Sequence, residues 1–122
     1  MSAIKEFKGK QGLQRLINAT GYSKDGLAAA WKHEAAFREE TLLAAIMVPL
    51  GLWLGRSSIE QALLVGTVLL VLIVELLNSA IEAVVDRVSD ERHELSKRAK
   101  DIGSAAVLLT LALTAAVWAL IL

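Results

Sequence analysis

Apolar runs of membrane-spanning length constrain this chain more than any other feature. The apolar residues, which make up 55% of its 122 positions, concentrate in Thr41–Gly55, Ala62–Val85 and Ala105–Leu122. The second and third runs can each cross a hydrocarbon core, which takes about 20 helical residues. The first run is short and contains Pro49, so it spans a membrane only if its helix begins near Ala35. We therefore predict an all-α membrane protein with three transmembrane helices and an N-terminal amphipathic surface helix.

The placement of basic residues predicts one orientation in the membrane. Of the 13 Lys and Arg residues, seven lie in 1–40 and five in 86–101, whereas the connection between the first two runs holds only Arg56. The positive-inside rule then places the N-terminus and the 86–101 loop in the cytoplasm and the C-terminus outside. The first forty residues contain no apolar signal-peptide core, so we expect the N-terminus to stay in the cytoplasm. The predicted plan is one domain over 1–122: a surface helix in 1–34, spans in 35–55, 59–85 and 102–122, and a cytoplasmic loop in 86–101.

Composition and motifs exclude several classes of site. The chain has no cysteine, which rules out disulfides, thiolate metal sites and cysteine nucleophiles. Thirteen acidic residues balance the thirteen basic ones, so no basic patch indicates nucleic acid. The glycine-rich and catalytic-loop motifs of the common nucleotide-binding proteins are also absent.

The N-terminal segment is predicted to form two short helices. Gly21 is expected to end the first, and Ser23 or Asp25 to cap a second that begins near Lys24. Helical periodicity gives this second helix an apolar face around Leu27 and Trp31. Glu34 and Arg38 also fall on that apolar face. They either form a weak i,i+4 ion pair or both point at something polar.

A polar stripe interrupts the second span. In VELLNSAIEAVVD (74–86), the side chains of Glu75, Asn78, Ser79, Glu82 and Asp86 share one helical face. An ionised acid at a bilayer centre costs roughly 2.5–3.5 kcal/mol on insertion scales, so such a stripe should face the bundle interior or a wet cavity. At 1.5 Å per residue, Glu75 lies about 16 Å inward from Asp86. The stripe therefore leads from the cytoplasmic edge toward the lipid.

A cation is expected beside this stripe. Lys100 and Asp101 precede the small residues Gly103–Ala106, which permit close helix approach and would bring Lys100 near the stripe. Carboxylates, one cation and a cytoplasmic opening fit phosphoryl transfer, which depends on positioning and charge neutralisation. Magnesium is typically held by one or two carboxylates and by phosphate oxygens. Residue-level reasoning ends at a membrane-embedded carboxylate site that faces the cytoplasm.

Two segments resemble one membrane-enzyme family. GYSKDGLAAAWKHEAAFREE and VELLNSAIEAVVDRVSDERHELSKRAKDIGSAAVLL are similar to the small bacterial integral-membrane diacylglycerol kinases, over nearly the whole chain from about Arg15. The resemblance implies a multi-pass protein of the bacterial inner membrane, assembled as a homotrimer with active sites shared between subunits. It implies transfer of the γ-phosphate of ATP, with Mg²⁺, to diacylglycerol, giving phosphatidic acid.

The resemblance also implies residue roles. Glu75 matches the general base near the lipid hydroxyl, Asn78 a supporting catalytic residue, and Glu34 and Glu82 the magnesium carboxylates. The ATP contacts that it implies are Arg15, Tyr22, Glu34, Glu82, Glu91, Arg92, His93, Lys100 and Asp101. The lipid contacts that it implies are Arg15, Ala19, Thr20, Gly21, Tyr22, Ser23, Lys24, Ala28, Ala29, Ala30, Trp31, Ala36, Phe37, Arg38, Glu39, Glu40, Trp53, Glu75 and Ser104. Arg92 departs from the aromatic residue expected at its position, which leaves its role open.

Three other functions remain open at this point. A relative of the family phosphorylates undecaprenol, which also presents a primary hydroxyl near the membrane surface. A small proton-coupled exporter would explain a single buried acid, although not a row of them or an odd number of spans. A non-catalytic assembly subunit leaves the polar stripe unexplained.

Overall fold

Four α-helices account for the described part of the chain. The structure, a computed structural model, describes residues 2–88 and 93–122, and the side chains within 11–88 and 93–122. The helices are α1 (Ser2–His33), α2 (Ala35–Leu54), α3 (Ser58–Val88) and α4 (Glu94–Ile121). These ranges contain no strand, so the all-α prediction is confirmed. The chain divides between His33 and Glu34 into two compact units.

The first unit is the single helix α1, which corrects the prediction of two short helices. Gly21 does not end a helix, because it keeps an ordinary negative φ and glycine costs only about 1 kcal/mol within a helix. The hydroxyls of Thr20 and Ser23 donate to the carbonyl oxygens of Leu16 and Ala19, at 3.0 and 2.8 Å. Ser23 therefore bonds back into the preceding turn instead of capping a new helix.

The second unit begins with a break at Glu34, so α2 starts at Ala35, as the first span was expected to do. The break interrupts the helical periodicity that had placed Glu34 and Arg38 on one face with Leu27 and Trp31. Glu34 has extended backbone angles (φ −116°, ψ 104°) and is the N-cap of α2, but its side chain makes no capping hydrogen bond. Its backbone carbonyl accepts from the N–H of Arg38 at 3.2 Å. Glu34 is therefore not on the Leu27–Trp31 helix face, and its carboxylate is not used to cap α2.

Helix α3 packs against both α2 and α4. A Cβ added to Gly51 of α2 would lie 3.1 Å from Leu64 Cβ and 3.5 Å from the Trp118 ring, so the three helices meet closely here. The Trp118 indole donates to the Leu64 carbonyl at 3.1 Å, and the Thr114 hydroxyl to the Thr67 carbonyl at 3.2 Å. These two contacts show that α3 and α4 run antiparallel.

Helices α3 and α4 are long and apolar enough to cross a membrane. Many of their large apolar side chains lie on the outside of the unit; Leu108 and Leu109, for example, are 68% and 73% exposed. In water such a surface would be costly, whereas lipid tails or neighbouring subunits cover it at no such cost. This exposure agrees with the predicted membrane setting. Helix α2 does not meet the same criterion of length and composition, so the third span remains a prediction.

The connection between α3 and α4 is mostly helical, unlike the loop predicted for 86–101. Helix α3 continues to Val88 and α4 begins at Glu94, with residues 89–92 outside the described range. His93 Nδ1 caps α4 by accepting from the Leu95 N–H at 3.0 Å. Two i,i+4 ion pairs, Glu94–Arg98 and Lys97–Asp101, support its first turns.

Candidate active site

The polar stripe of α3 is buried at the Glu75 end and exposed at the Asp86 end. Glu75 and Asn78 are only 6% and 8% exposed, Glu82 is half-buried and Asp86 is exposed. Among the apolar residues between them, Leu77, Ile81 and Val84 are exposed and Val85 is half-buried. The predicted ladder from the surface into the apolar region is therefore present along α3.

Carboxyl groups from two helices meet at Glu75. Because α2 and α3 run antiparallel, Glu40 lies across from Glu75, close enough for the two carboxyl groups to influence each other. The carboxylates of Glu34 and Glu82 lie within electrostatic range of Glu75. The family resemblance had implied Glu40 only as a lipid contact. Its pairing with Glu75 depends on the antiparallel register of α2 and α3, which the structure supplies.

Asn78 links this cluster to Glu82 and to α4. Its Nδ2 donates to Glu82 Oε1 at 3.4 Å, one turn further along α3. Its Oδ1 is buried and has no hydrogen-bond partner among the described residues. That oxygen points to Gly103, where an added Cβ would overlap it. The predicted close approach of the small-residue run to the stripe is confirmed at Gly103.

Lys100 reaches the stripe, as predicted, but through Asp86. Lys100 Nζ lies 2.6 Å from Asp86 Oδ1, and the two side chains are 43% and 64% exposed. Lys100 precedes the apolar part of α4. Its hydrogen bond to Asp86 and the negative charge of that carboxylate raise the pKa of Lys100 above its ordinary value. Asp101 instead pairs with Lys97 at 2.6 Å, so Lys100 and Asp101 point to different partners.

The remaining predicted contacts divide between the two units. Arg15, Ala19 and Tyr22 line one groove along α1, together with Gln11 and Asn18. Phe37 is buried in α2, whereas Ala36 and Glu39 are exposed and Ser104 is exposed on α4. Glu91 and Arg92 lie outside the described residues.

Trp53 is not brought to the carboxyl cluster. It is 80% exposed, near the end of α2 where Gly51 meets Leu64. Leu64 precedes Glu75 by eleven residues, or about 16 Å of helix. A direct contact of Trp53 with the group that reacts at Glu75 is therefore not supported within one chain.

The donor chemistry fits a magnesium ion that is bound together with a nucleotide. Within the described ranges, no three carboxylate or imidazole side chains converge to form a metal site by themselves. Magnesium, however, characteristically takes one or two carboxylates and completes its shell with water and phosphate oxygens. Glu34, whose side chain is not used as a cap, and Glu82, which accepts a hydrogen bond from Asn78, are carboxylates of the kind that such a site uses.

Comparison with known proteins identifies the family. The family model described as prokaryotic diacylglycerol kinase matches residues 21–122. A diacylglycerol kinase of Pseudomonas aeruginosa is 56% identical over 116 residues, which cover 95% of this chain and 94% of the relative. Diacylglycerol kinases of Haemophilus influenzae and Escherichia coli K12 are 55% and 52% identical over 107 and 111 residues, covering 88% and 91% of this chain and 91% of each relative. The chain belongs to the prokaryotic diacylglycerol kinase family.

Proposed function

We propose that this protein is a diacylglycerol kinase that transfers the γ-phosphate of ATP to diacylglycerol and so makes phosphatidic acid. The observation that carries the proposal is Glu75, a carboxyl group buried in an apolar helix beside Glu40 and within range of Glu34 and Glu82. Buried acids in a membrane helix are costly and mark functional sites. The high identity to proteins named diacylglycerol kinase gives the substrate class.

In the proposed reaction, Glu75 accepts the proton of the lipid's primary hydroxyl as that oxygen attacks the γ-phosphorus. The new O–P bond forms while the bond to the β,γ-bridging oxygen breaks, and ADP leaves with that electron pair. Glu34 and Glu82 would hold Mg²⁺, which neutralises charge on the phosphate oxygens. Asn78 holds the Glu82 carboxylate in place, and Lys100 contributes positive charge at the polar end of the site. Arg15, Tyr22, His93 and Asp101 are proposed as further nucleotide contacts.

The proposed setting is the bacterial inner membrane, with three spans, a cytoplasmic N-terminus and a homotrimer. The exposed apolar side chains of α3 and α4 give the chain surface to bury against lipid or other subunits. The active sites are proposed to be shared between neighbouring subunits. Light scattering of the purified protein in detergent tests the trimer: a mass of three chains supports it, and a monomer that is fully active contradicts it.

The kinase proposal is tested by ATP-dependent phosphorylation of diacylglycerol in mixed micelles, with and without Mg²⁺. Glu75→Gln keeps the shape but removes the proton acceptor, so we expect at least about a 100-fold loss of kcat. Glu60→Gln is the matched control, since Glu60 is on the same helix but serves only the turn before α3, accepting from the Arg56 N–H at 3.0 Å. Equal activity of both variants would remove Glu75 as the base. Undecaprenol is assayed in parallel, and a clear preference for it would reassign the acceptor.

A further inference from the structure

Helix α4 reaches the polar stripe of α3 at a single glycine. In the described structure Asn78 Oδ1 occupies the position where a Cβ on Gly103 would be, and such a Cβ would also lie 3.3 Å from Asn78 Cγ. Both residues are buried. Any side chain at position 103 must therefore displace either the Asn78 amide or helix α4.

The amide cannot turn away without losing its contact with Glu82. The donor group of the Asn78 side chain is Nδ2, which donates to Glu82 Oε1. If the amide were reversed, its oxygen would face the Glu82 carboxylate and repel it. The free space at Gly103 thus lets Oδ1 lie against α4 while Nδ2 remains on Glu82.

We propose that Gly103 is a positioning residue, which fixes the Asn78 amide and, through it, the carboxylate of Glu82. This inference rests on the proposed role of Glu82 as a magnesium ligand. The partners of a metal ligand orient it, and their loss typically lowers metal affinity or activity by about 10–100-fold. Gly103 has no side chain with which to bind a substrate or a metal, so its proposed role is to position Asn78.

Gly103→Ala tests the inference, with Gly66→Ala as the matched control, because a Cβ at Gly66 meets nothing within 4 Å. Both replace glycine by alanine within an apolar helix. Binding of Mn²⁺, a magnesium substitute with an EPR signal, is measured in the presence of a non-hydrolysable ATP analogue. We expect Gly103→Ala to weaken Mn²⁺ binding about 10–100-fold and to raise the Mg²⁺ requirement of the kinase, while KM for diacylglycerol stays unchanged. Gly66→Ala should change neither.

A double variant separates positioning from simple helix packing. Asn78→Ala removes the two atoms nearest the added methyl group, so Gly103→Ala should have little further effect on Mn²⁺ binding in that background. If Gly103→Ala alone does not fold, the double variant should fold, because the overlap is gone. Parent-like Mn²⁺ binding by Gly103→Ala, an equal loss in both backgrounds, or a double variant that also fails to fold would each overturn the inference. A parent protein that binds Mn²⁺ but does not phosphorylate either lipid would instead overturn the proposed function and leave the Mn²⁺ comparison intact.

Discussion

The contact of α2, α3 and α4 around Leu64 should determine the stability of the second unit. Leu64 is the one described side chain of large volume with no exposed surface. It lies against Gly51 of α2, and its carbonyl accepts from Trp118 of α4. Leu64→Ala keeps the Cβ and the carbonyl that make these two contacts, but it removes the rest of a fully buried side chain where the three helices meet. We therefore expect it to lower the free energy of unfolding.

The size of the loss follows from which energy terms operate in a membrane. In water-soluble proteins, Leu→Ala in a core costs about 2–5 kcal/mol, the sum of a transfer term and a cavity term. Lipid tails are as apolar as leucine, so the transfer term largely disappears when the unfolded helices remain in the membrane. The cavity term remains, because close packing on both sides of Leu64 limits relaxation. We expect a loss of about 1–3 kcal/mol.

The measurement is reversible unfolding in mixed micelles of a mild detergent and SDS, followed by tryptophan fluorescence. Leu109→Ala is the matched control, since Leu109 is 73% exposed on α4 and should change stability by less than about 0.5 kcal/mol. Before unfolding, KM for ATP should be unchanged in Leu64→Ala, because Leu64 lies about 16 Å along the helix from Glu75. A loss as large in Leu109→Ala as in Leu64→Ala would refute the packing argument.

Three further predictions concern single side chains of the second unit. Lys100→Met should raise KM for ATP about tenfold or more, because a charged contact to phosphate is lost. The free energy of unfolding should hardly change, since the ion pair of Lys100 with Asp86 is exposed and exposed pairs contribute little. Steady-state kinetics and SDS unfolding check both parts, and an unchanged KM contradicts the assignment. The Asp86 contact raises the pKa of Lys100, so Lys100 stays charged below the ordinary lysine pKa and loses its charge only as the pH passes the raised pKa. KM for ATP should therefore show no lysine titration up to about pH 10. An inflection below that pH that Lys100→Met removes would contradict the contact. Trp118→Phe removes one interhelical hydrogen bond and should lower the free energy of unfolding by about 0.6–1.7 kcal/mol, the values found for such bonds in membranes. The loss should be no larger, because the Leu64 carbonyl still accepts from the Thr67 hydroxyl at 3.2 Å. A loss above about 3 kcal/mol in SDS unfolding would contradict this reasoning.

The sequence predicted the part of the structure that periodicity controls. The shared face of Glu75, Asn78 and Glu82 follows from helical geometry alone. The close approach at Gly103 was predicted from side-chain size. Each of these depends on one helix or on one small residue, which a linear pattern can reveal.

The features that the sequence did not reveal depend on competition between local signals or on helix register. Gly21 and Ser23 were read as helix-ending and helix-starting signals, but a single glycine costs too little to break α1 and the serine hydroxyl bonds within it. The pairing of Glu40 with Glu75 requires the antiparallel register of α2 and α3. That register is fixed by the contact of Gly51 with Leu64, between two residues that carry no functional signal of their own.

Polar groups in the second unit are satisfied unevenly, and this asymmetry supports a functional site at the Glu75 end. Near Leu64, the Thr114 hydroxyl and the Trp118 indole both find carbonyl partners on α3. Among the described residues, the buried side-chain atoms without a hydrogen-bond partner are Glu40 Oε2, Thr41 Oγ1 and Asn78 Oδ1, all at or next to the carboxyl cluster. An unsatisfied polar group in hydrocarbon costs several kcal/mol, so chance would not be expected to gather three of them beside a buried acid. Such atoms are expected where a substrate, a metal-bound water or a neighbouring subunit completes the site, as the proposed lipid kinase reaction requires.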